Sequence, residues 1–323
     1  MNGQLEINKE EFIANESGRI DKILASHLNA SRNQIEKLIE KGFVKTNDKD
    51  VTKTSHKVHI GDKVSYSLPE AEHKVAMNVD FDVEVLYEDE HLMVVNKPSG
   101  LVVHPAPSVK EPTLVDWLVQ RGISLSTLSG EERHGIVHRI DKETTGALVI
   151  AKSNEAHEAL SRQLEDKSMG RYYIALIDYP LKDSCEVEAP IGRSTHNRLK
   201  MGVVEGGKSA KSAFVKLASN DNNIELIAAK LYTGRTHQIR VHLATLGRHI
   251  LGDALYGYIG KEMPRVFLHA RSLYFIHPIS GQNMQFEAPL FDDMRDFISK
   301  HFDENIFELL KSDNLQGTFN ATY

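Results

Sequence analysis

The stretch Gly135-Ile-Val-His-Arg-Ile-Asp-Lys-Glu-Thr-Thr-Gly146, continued by Ala147-Leu-Val-Ile-Ala-Lys152, decides how this 323-residue chain is read. Its apolar segments read as strands, and the polar Asp-Lys-Glu-Thr-Thr-Gly segment between them reads as a turn. That arrangement brings a carboxylate, Asp141, to a strand end, where functional sites are commonly built. Taken alone, an aspartate in such a turn is most often a residue that bonds nearby backbone. A likeness to the His-Arg-Asp loop of kinases fails. An extra residue separates Arg139 from Asp141, and neither a glycine-rich loop after a strand nor Asp-Phe-Gly accompanies it.

Outward from this stretch, strand-like runs dominate: VEVLY from Val83, then HLMVVN, YYIALI, AFVKLA, IELIAAKL and RSLYFI, which ends at Ile276. Helical stretches at 112–121 and 154–166 interrupt them. In the second, Ala156, Ala159, Leu160 and Leu164 share one face behind a cap at Ser153 or Asn154. Strands and helices do not alternate strictly, so the expected class is α+β with a largely antiparallel sheet. Beyond Phe291 a helix is expected from Asp293 to Leu310, followed by a frayed polar tail.

Residues 17–65 read as a separate small module. Ile20, Ile23, Leu24 and Leu28 fall at helical spacing; a second helix starts at Ser31, with Gln34 as capping-box partner and Gly42 as its stop. Short strands follow around turn signals at Asn47-Asp48 and Gly61-Asp62. Arg19, Lys22, Arg32, Lys37 and Lys41 lie on the polar faces, either as a basic binding surface or as ordinary solvated charge. The acidic segment 66–82, with Pro69, reads as a linker to a main domain at 83–290, with 291–323 as an extension.

Charge sharpens this division. The chain totals 39 basic and 45 acidic residues, a net −6 that argues weakly against a nucleic-acid partner. Counted by region, however, residues 17–65 carry +4 and residues 191–213 carry +4, while 1–16, 66–90 and 291–323 carry −3, −7 and −4. A single cysteine, Cys185, excludes an internal disulfide and a cysteine metal cluster. No apolar run reaches the length of about 18 residues that a membrane span needs, and the first residues lack the apolar core of a signal peptide, so a cytoplasmic protein is expected.

Two motif matches mislead. Gly202-Val-Val-Glu-Gly-Gly-Lys-Ser209 satisfies the phosphate-loop expression, but a polar, basic segment precedes it and a strand-like one follows, so a glycine-rich hairpin is expected. Among the sixteen histidines, His237 and His242 are five apart and His134 and His138, though four apart, run into a strand-like segment; neither pair has an acidic companion.

The interpretation comes from the order of several motifs. Val94-Val-Asn-Lys-Pro-Ser-Gly-Leu-Val-Val-His-Pro105 precedes the His-Arg-Ile-Asp segment. Arg171-Tyr-Tyr-Ile-Ala-Leu176 and Thr233-Gly-Arg-Thr-His-Gln-Ile-Arg-Val-His242 follow it. Gly252-Asp-Ala-Leu-Tyr-Gly257, Leu268-His-Ala270 and His277-Pro-Ile-Ser-Gly281 complete the series. Together these resemble the RluA/RluD family of RNA pseudouridine synthases over nearly all of residues 83–290. Residues 17–65 resemble the alpha-L RNA-binding domain shared with small-subunit ribosomal protein four, which favours the RNA-binding reading of that module. The combination resembles the RluD branch, which acts on 23S ribosomal RNA.

The resemblance implies isomerisation of uridine to pseudouridine, a chemistry that requires no metal and no cofactor. Asp141 matches the catalytic aspartate. Arg235 is expected to pair with it, and Tyr173 to lie against the base and assist removal of the C5 proton. Arg139 matches the arginine that enters the RNA stack when the nucleotide flips out, and Ile239 would pack under the uracil. In the basic 191–213 segment, Arg193, Arg198, Lys200 and Lys208 are expected to follow RNA phosphates. Nothing in the sequence requires more than a monomer.

Overall fold

The computed structural model describes residues 8–28, 32–68, 77–106, 109–123, 125–126, 135–195 and 197–323. The chain divides into two compact units, Met1–Ala76 and Met77–Tyr323.

The first unit contains β1 (Asn8–Ile13), β2 (Gly18–Arg19), α1 (Ile20–His27), α2 (Arg32–Glu40), β3 (Val44–Thr46), β4 (Lys49–Asp50), β5 (Lys57–Val58) and β6 (Lys63–Leu68). Its four-stranded antiparallel sheet runs β1-β6-β3-β4, and β2 pairs separately with β5. The apolar positions of the two helices meet the inward residues of the sheet, so Ile20, Leu24, Ile35, Val44 and Val64 form one buried core. Gly42 ends α2 at φ +76°, a backbone conformation that suits glycine, while the Phe43 N–H donates to the Leu38 carbonyl at 2.9 Å. Asn47 and Asp48 both take positive φ, as the tight β3–β4 hairpin demands. The sheet begins at residue 8, upstream of the expected start at 17. The expected cap at Ser31 lies outside the described residues.

The second unit contains β7 (Glu84–Glu88), β8 (Leu92–Lys97), α3 (Leu114–Gln120), β9 (Thr145–Ala151), α4 (Asn154–Glu165) and β10 (Gly170–Asp178). It continues with β11 (Cys185–Glu188), β12 (Ile191–Arg193), β13 (Met201–Val203), β14 (Lys211–Ser219), β15 (Ile224–Leu231) and α5 (Gln238–Thr245). The last elements are β16 (Leu268–Ile276), β17 (Asn283–Glu287), α6 (Asp292–His301), α7 (Ile306–Leu309) and α8 (Ser312–Thr322). One nine-stranded sheet runs β11-β14-β15-β10-β16-β9-β8-β7, with β17 also on β16. Every neighbouring pair in it is antiparallel except β16 and β9.

The central strands are buried on both faces, which explains their continuous apolar runs. Met93, Val95, Leu148 and Ile150 face α3 through Leu114, Trp117 and Leu118. Their alternate neighbours Val94, Ala147 and Val149 face α4 through Ala156 and Leu160. The helix starts follow local chemistry: Thr113 and Asp116 form a capping box for α3, and Ser153 accepts from the Ala156 N–H to cap α4.

The parallel contact between β16 and β9 is short, His269 opposite Thr145 and Ala270 opposite Gly146. Gly146 sits at φ +112°, and a Cβ there would lie 2.3 Å from the Ala270 carbonyl oxygen. Only glycine lets the start of β9 press so closely against β16, and this fixes the loop that carries Asp141. Residues 135–140 do not form the strand the sequence suggests. One isolated bridge joins Ile136 to Ile150, and the Gly135 carbonyl accepts from Ala151. At the next position a side chain replaces backbone: His138 Nε2 accepts from the Val149 N–H at 3.2 Å.

The C-terminal segment departs from a frayed tail. Leu315 and Phe319 of α8 are buried in the main core, and Tyr323 donates its hydroxyl to the Phe214 carbonyl at 3.0 Å. Phe319 packs at a tilt against Tyr172, with ring centroids 5.3 Å apart and planes at 51°.

Candidate active site

Asp141 lies in the loop before β9, its backbone set by the Thr144 N–H donating to its own carbonyl at 3.1 Å. A second tie comes from Lys97, fully buried at the end of β8. Its Nζ donates to the carbonyls of Pro98, Leu101 and Lys142 at 2.7, 2.8 and 3.0 Å, joining two loops one residue beyond Asp141. Burial pushes the Lys97 ammonium down to about 7, with Asp141 and Glu143 opposing the shift.

The side chain of Asp141 opens into a cleft whose walls include Arg139, Tyr173, Arg235, His237, Ile239 and Arg240. Its nearest cation is Arg240, with Nη1 3.5 Å from Oδ2. On the other oxygen, His237 Nε2 stands 3.9 Å from Oδ1. Arg240 is itself gripped from behind: Nε and Nη2 donate to the two oxygens of buried Asp253 at 2.7 and 2.8 Å. Burial would lower the Arg240 pKa, but Asp253 and then Asp141 outweigh it and the net shift is upward. The guanidinium also sits over the Tyr256 ring, 4.9 Å from its centroid.

The expected Arg235–Asp141 pair is therefore not the pair that forms. Arg235 lines the cleft but precedes α5, is exposed, and donates its Nε to the Ser209 carbonyl at 3.0 Å. The helix begins only at Gln238, after His237 in a left-handed conformation at φ 56°. This break swings Ile239 and Arg240, rather than Arg235, toward the carboxylate. Ile239 is buried and lines the cleft.

Tyr173 lines the same cleft, while Tyr172, on the opposite face of β10, packs against Phe319. Burial, opposed by Arg171 and aided by Asp141, pushes the Tyr173 hydroxyl up to about 12. At neutral pH it is a phenol, not a phenolate. Arg139 is exposed and lines the cleft. His138 is buried and structural: burial, then Arg171, lowers its pKa to about 3, so it is a neutral acceptor for Val149.

Arg193, Arg198, Lys200 and Lys208 do not line the cleft. The first lies in β12, the next two in the connection to β13, and Lys208 forms a backbone bridge with Ile191 at 2.9 Å in both directions. The phosphate-loop pattern is a hairpin: β13 enters a turn at Glu205–Gly206 and no helix follows at Lys208. Arg193 donates to the Arg198 carbonyl at 2.5 Å, closing the loop between β12 and β13. In the first unit Lys22 and Lys41 are exposed, and Arg19 is held by Asp21 at 2.8 Å. The side chains of Arg32 and Lys37 lie outside the described residues.

Sequence reading assigned no role to Lys97, His237, Arg240, Asp253 or Tyr256. The signal was present in the Gly252-Asp-Ala-Leu-Tyr-Gly257 segment, whose buried Asp253 selects the arginine that faces Asp141. Among the described residues no group of three or more His, Cys, Asp or Glu side chains could hold a metal ion, and no helix is long and apolar enough to cross a membrane.

The family described as RNA pseudouridylate synthase matches residues 91–245, and the S4 domain matches residues 18–64. A protein of Helicobacter pylori (strain J99) described as an uncharacterized RNA pseudouridine synthase is 47% identical over 314 residues, covering 94% of this chain and 96% of the relative. A ribosomal large subunit pseudouridine synthase D of Zymomonas mobilis is 39% identical over 292 residues, covering 86% and 92%. The solved structure of human RNA pseudouridylate synthase domain containing 1 superposes with a TM-score of 0.54 at 25% identity, covering 66% of this chain and 86% of that one.

Proposed function

The chain belongs to the RNA pseudouridine synthase family, and from that premise we propose that it isomerises specific uridines of large-subunit ribosomal RNA through Asp141. The observation that carries this reading is the placement of Asp141 in the cleft, faced by Arg240 at 3.5 Å and sharing its walls with Tyr173 and Ile239. In the reaction the bond from N1 to C1′ breaks, the uracil turns, and C5 bonds to C1′. C5 gives up a proton and N1 takes one, so the atoms balance without an oxidant or a second substrate. A carboxylate beside the sugar and base can attack or stabilise the positive charge that develops when the glycosidic bond breaks.

The other cleft residues take roles that fit their surroundings. Ile239 offers an apolar surface for the uracil face, and Tyr173, as a neutral phenol, packs against the base rather than acting as a free phenolate. A uridine inside a helix cannot reach Asp141, so the nucleotide must leave the stack, and the exposed Arg139 at the cleft can fill the space it vacates. Arg193, Arg198, Lys200 and Lys208 supply positive charge for phosphates, which position the RNA without reading its sequence. Lys22, Lys41, Arg32, Lys37 and Arg19 give the first unit the same task. Large-subunit ribosomal RNA is supported by the names of relatives from Zymomonas mobilis and Nitrosomonas europaea. The same reading places the enzyme in the cytoplasm, and one chain carries every group it uses, so a monomer suffices.

The test is tritium release from large-subunit ribosomal RNA labelled at C5 of uridine. Wild type should release label, and Asp141→Asn, folded and still binding the RNA, should release none above background. No release by wild type, or equal release by the variant, would sink the assignment.

A further inference from the structure

The short turn Gly252–Gly257 touches both partners of Asp141. Asp253 holds Arg240, as described above. Three residues later Tyr256 holds His237, with its hydroxyl 2.9 Å from His237 Nδ1 and the two rings edge to face at 89°. The same hydroxyl meets β13: it accepts from the Met201 N–H at 2.9 Å and lies 3.3 Å from the Met201 carbonyl oxygen.

A phenol has one hydrogen to give, and here it has two candidate acceptors, the Met201 carbonyl and His237 Nδ1. If it went to Met201, Nδ1 would have to carry the imidazole hydrogen and donate it to the phenol oxygen. Nε2 would then turn a bare lone pair toward the Asp141 carboxylate 3.9 Å away, which is repulsive. If it goes to Nδ1, the shorter of the two contacts, the imidazole hydrogen sits on Nε2 and faces Asp141. Burial lowers the His237 pKa, with Arg240 and Arg139 adding to the effect and Asp141 and Asp253 opposing it, so the neutral ring is the relevant form. The backbone limits the alternatives: His237 occupies a left-handed conformation directly before α5, and the Arg240 guanidinium covers the Tyr256 ring.

We propose that Tyr256 and His237 are a positioning pair for Asp141, in which the Tyr256 hydroxyl donates to Nδ1 and so presents the Nε2 hydrogen to the carboxylate. Resting on the uridine-isomerising role of Asp141, this assigns a job to a turn that holds the catalytic carboxylate from two sides, by charge through Asp253–Arg240 and by tautomer through Tyr256–His237. It also ties Asp141 to β13, the second strand of the basic hairpin, through a single hydroxyl.

The test uses the full chain labelled with 15N in histidine. Long-range proton–nitrogen correlation reports which imidazole nitrogen is protonated, and His237→Gln identifies the His237 signals by their loss. Wild type should show the hydrogen on Nε2, and Tyr256→Phe, which keeps the ring under Arg240, should move it partly to Nδ1. In tritium release, Tyr256→Phe should lower kcat by about 10- to 100-fold with KM changed by less than about threefold. His237→Gln, whose amide can still offer an N–H, should retain more activity than His237→Ala. A wild-type hydrogen on Nδ1, an unchanged tautomer in Tyr256→Phe, or wild-type kcat in that variant would overturn the proposal. If Tyr256→Phe does not fold, the wild-type tautomer and the Gln-against-Ala comparison decide it. The tautomer is read on the free protein, so its outcome is separate from whether wild type turns over uridine.

Discussion

Arg19 and Arg240 each grip an aspartate with two nitrogen donors, Arg19 at 2.9 and 2.8 Å to Asp21, Arg240 at 2.7 and 2.8 Å to Asp253. Their surroundings differ. The Arg19 side chain is 50% exposed over an Asp21 that is itself only 7% exposed; Arg240 is 7% exposed and Asp253 only 1%. In the first unit the arginine half of the fork stands in water and only the aspartate is buried. In the cleft the same fork is fixed, because neither charge can be left alone out of water, and that fixity leaves Nη1 facing Asp141. The same pairing thus joins an exposed arginine to a buried carboxylate in one unit and two buried charges beside Asp141 in the other.

Breaking the buried fork should have the largest effect. Asp253→Ala strands the Arg240 guanidinium, and a buried pair broken on one side costs about 3–5 kcal/mol. A urea midpoint lowered accordingly, with tritium release lost in the folded fraction, is the expected result; an unchanged midpoint would mean that the fork is not the frame described.

Burial should also govern the response to acid. His138 and His269 are buried, and burial is the leading cause that lowers each pKa to about 3. Both are neutral in the fold but protonate near pH 6.5 when unfolded, so stability is full above about 6.5 and declines as pH falls toward 3. Between pH 6.5 and pH 5 each should remove about 1.5 kcal/mol. Urea titrations at the two pH values, repeated on His138→Gln, should show a smaller acid loss in the variant; an equal loss would contradict the assignment.

Smaller effects are expected where the charge is exposed. Arg235→Ala should leave the chemical step nearly unchanged and raise KM by only a fewfold, with a shallower salt dependence of RNA binding. Arg19→Ala should lower the urea midpoint of the first unit by less than Asp253→Ala lowers that of the second, and should change RNA affinity least of all. A large midpoint shift there would erase the contrast between the two forks.

The sequence made much of this visible because its signals were local. Asp141 stands beside a Thr-Thr-Gly segment whose glycine the β16–β9 contact requires, and Tyr173 and Ile239 line the same cleft. The choice between Arg235 and Arg240 was not legible, since it depends on where the backbone turns into α5. That break is made by His237 in a left-handed conformation, which carries no strong sequence mark. The Gly252–Gly257 motif marks Asp253, but not its partner, because it meets Arg240 only through folding. The polar tail misled for another reason: Leu315 and Phe319 are four apart and share a buried face, but two apolar residues among polar ones make a faint pattern. Residues 135–140 misled too, since their apolar run lies along β9 and gives up a strand ladder for the His138 side chain.

The most direct test compares Arg240→Lys with Arg235→Lys in single-turnover tritium release at saturating enzyme. Arg240→Lys keeps a cation for Asp253 but loses the planar fork that serves two carboxylates at once. Its rate constant should fall by about 100-fold or more, while Arg235→Lys stays within about threefold of wild type. The reverse order, with Arg235→Lys crippled and Arg240→Lys near wild type, would contradict the assignment of Arg240 as the partner of Asp141.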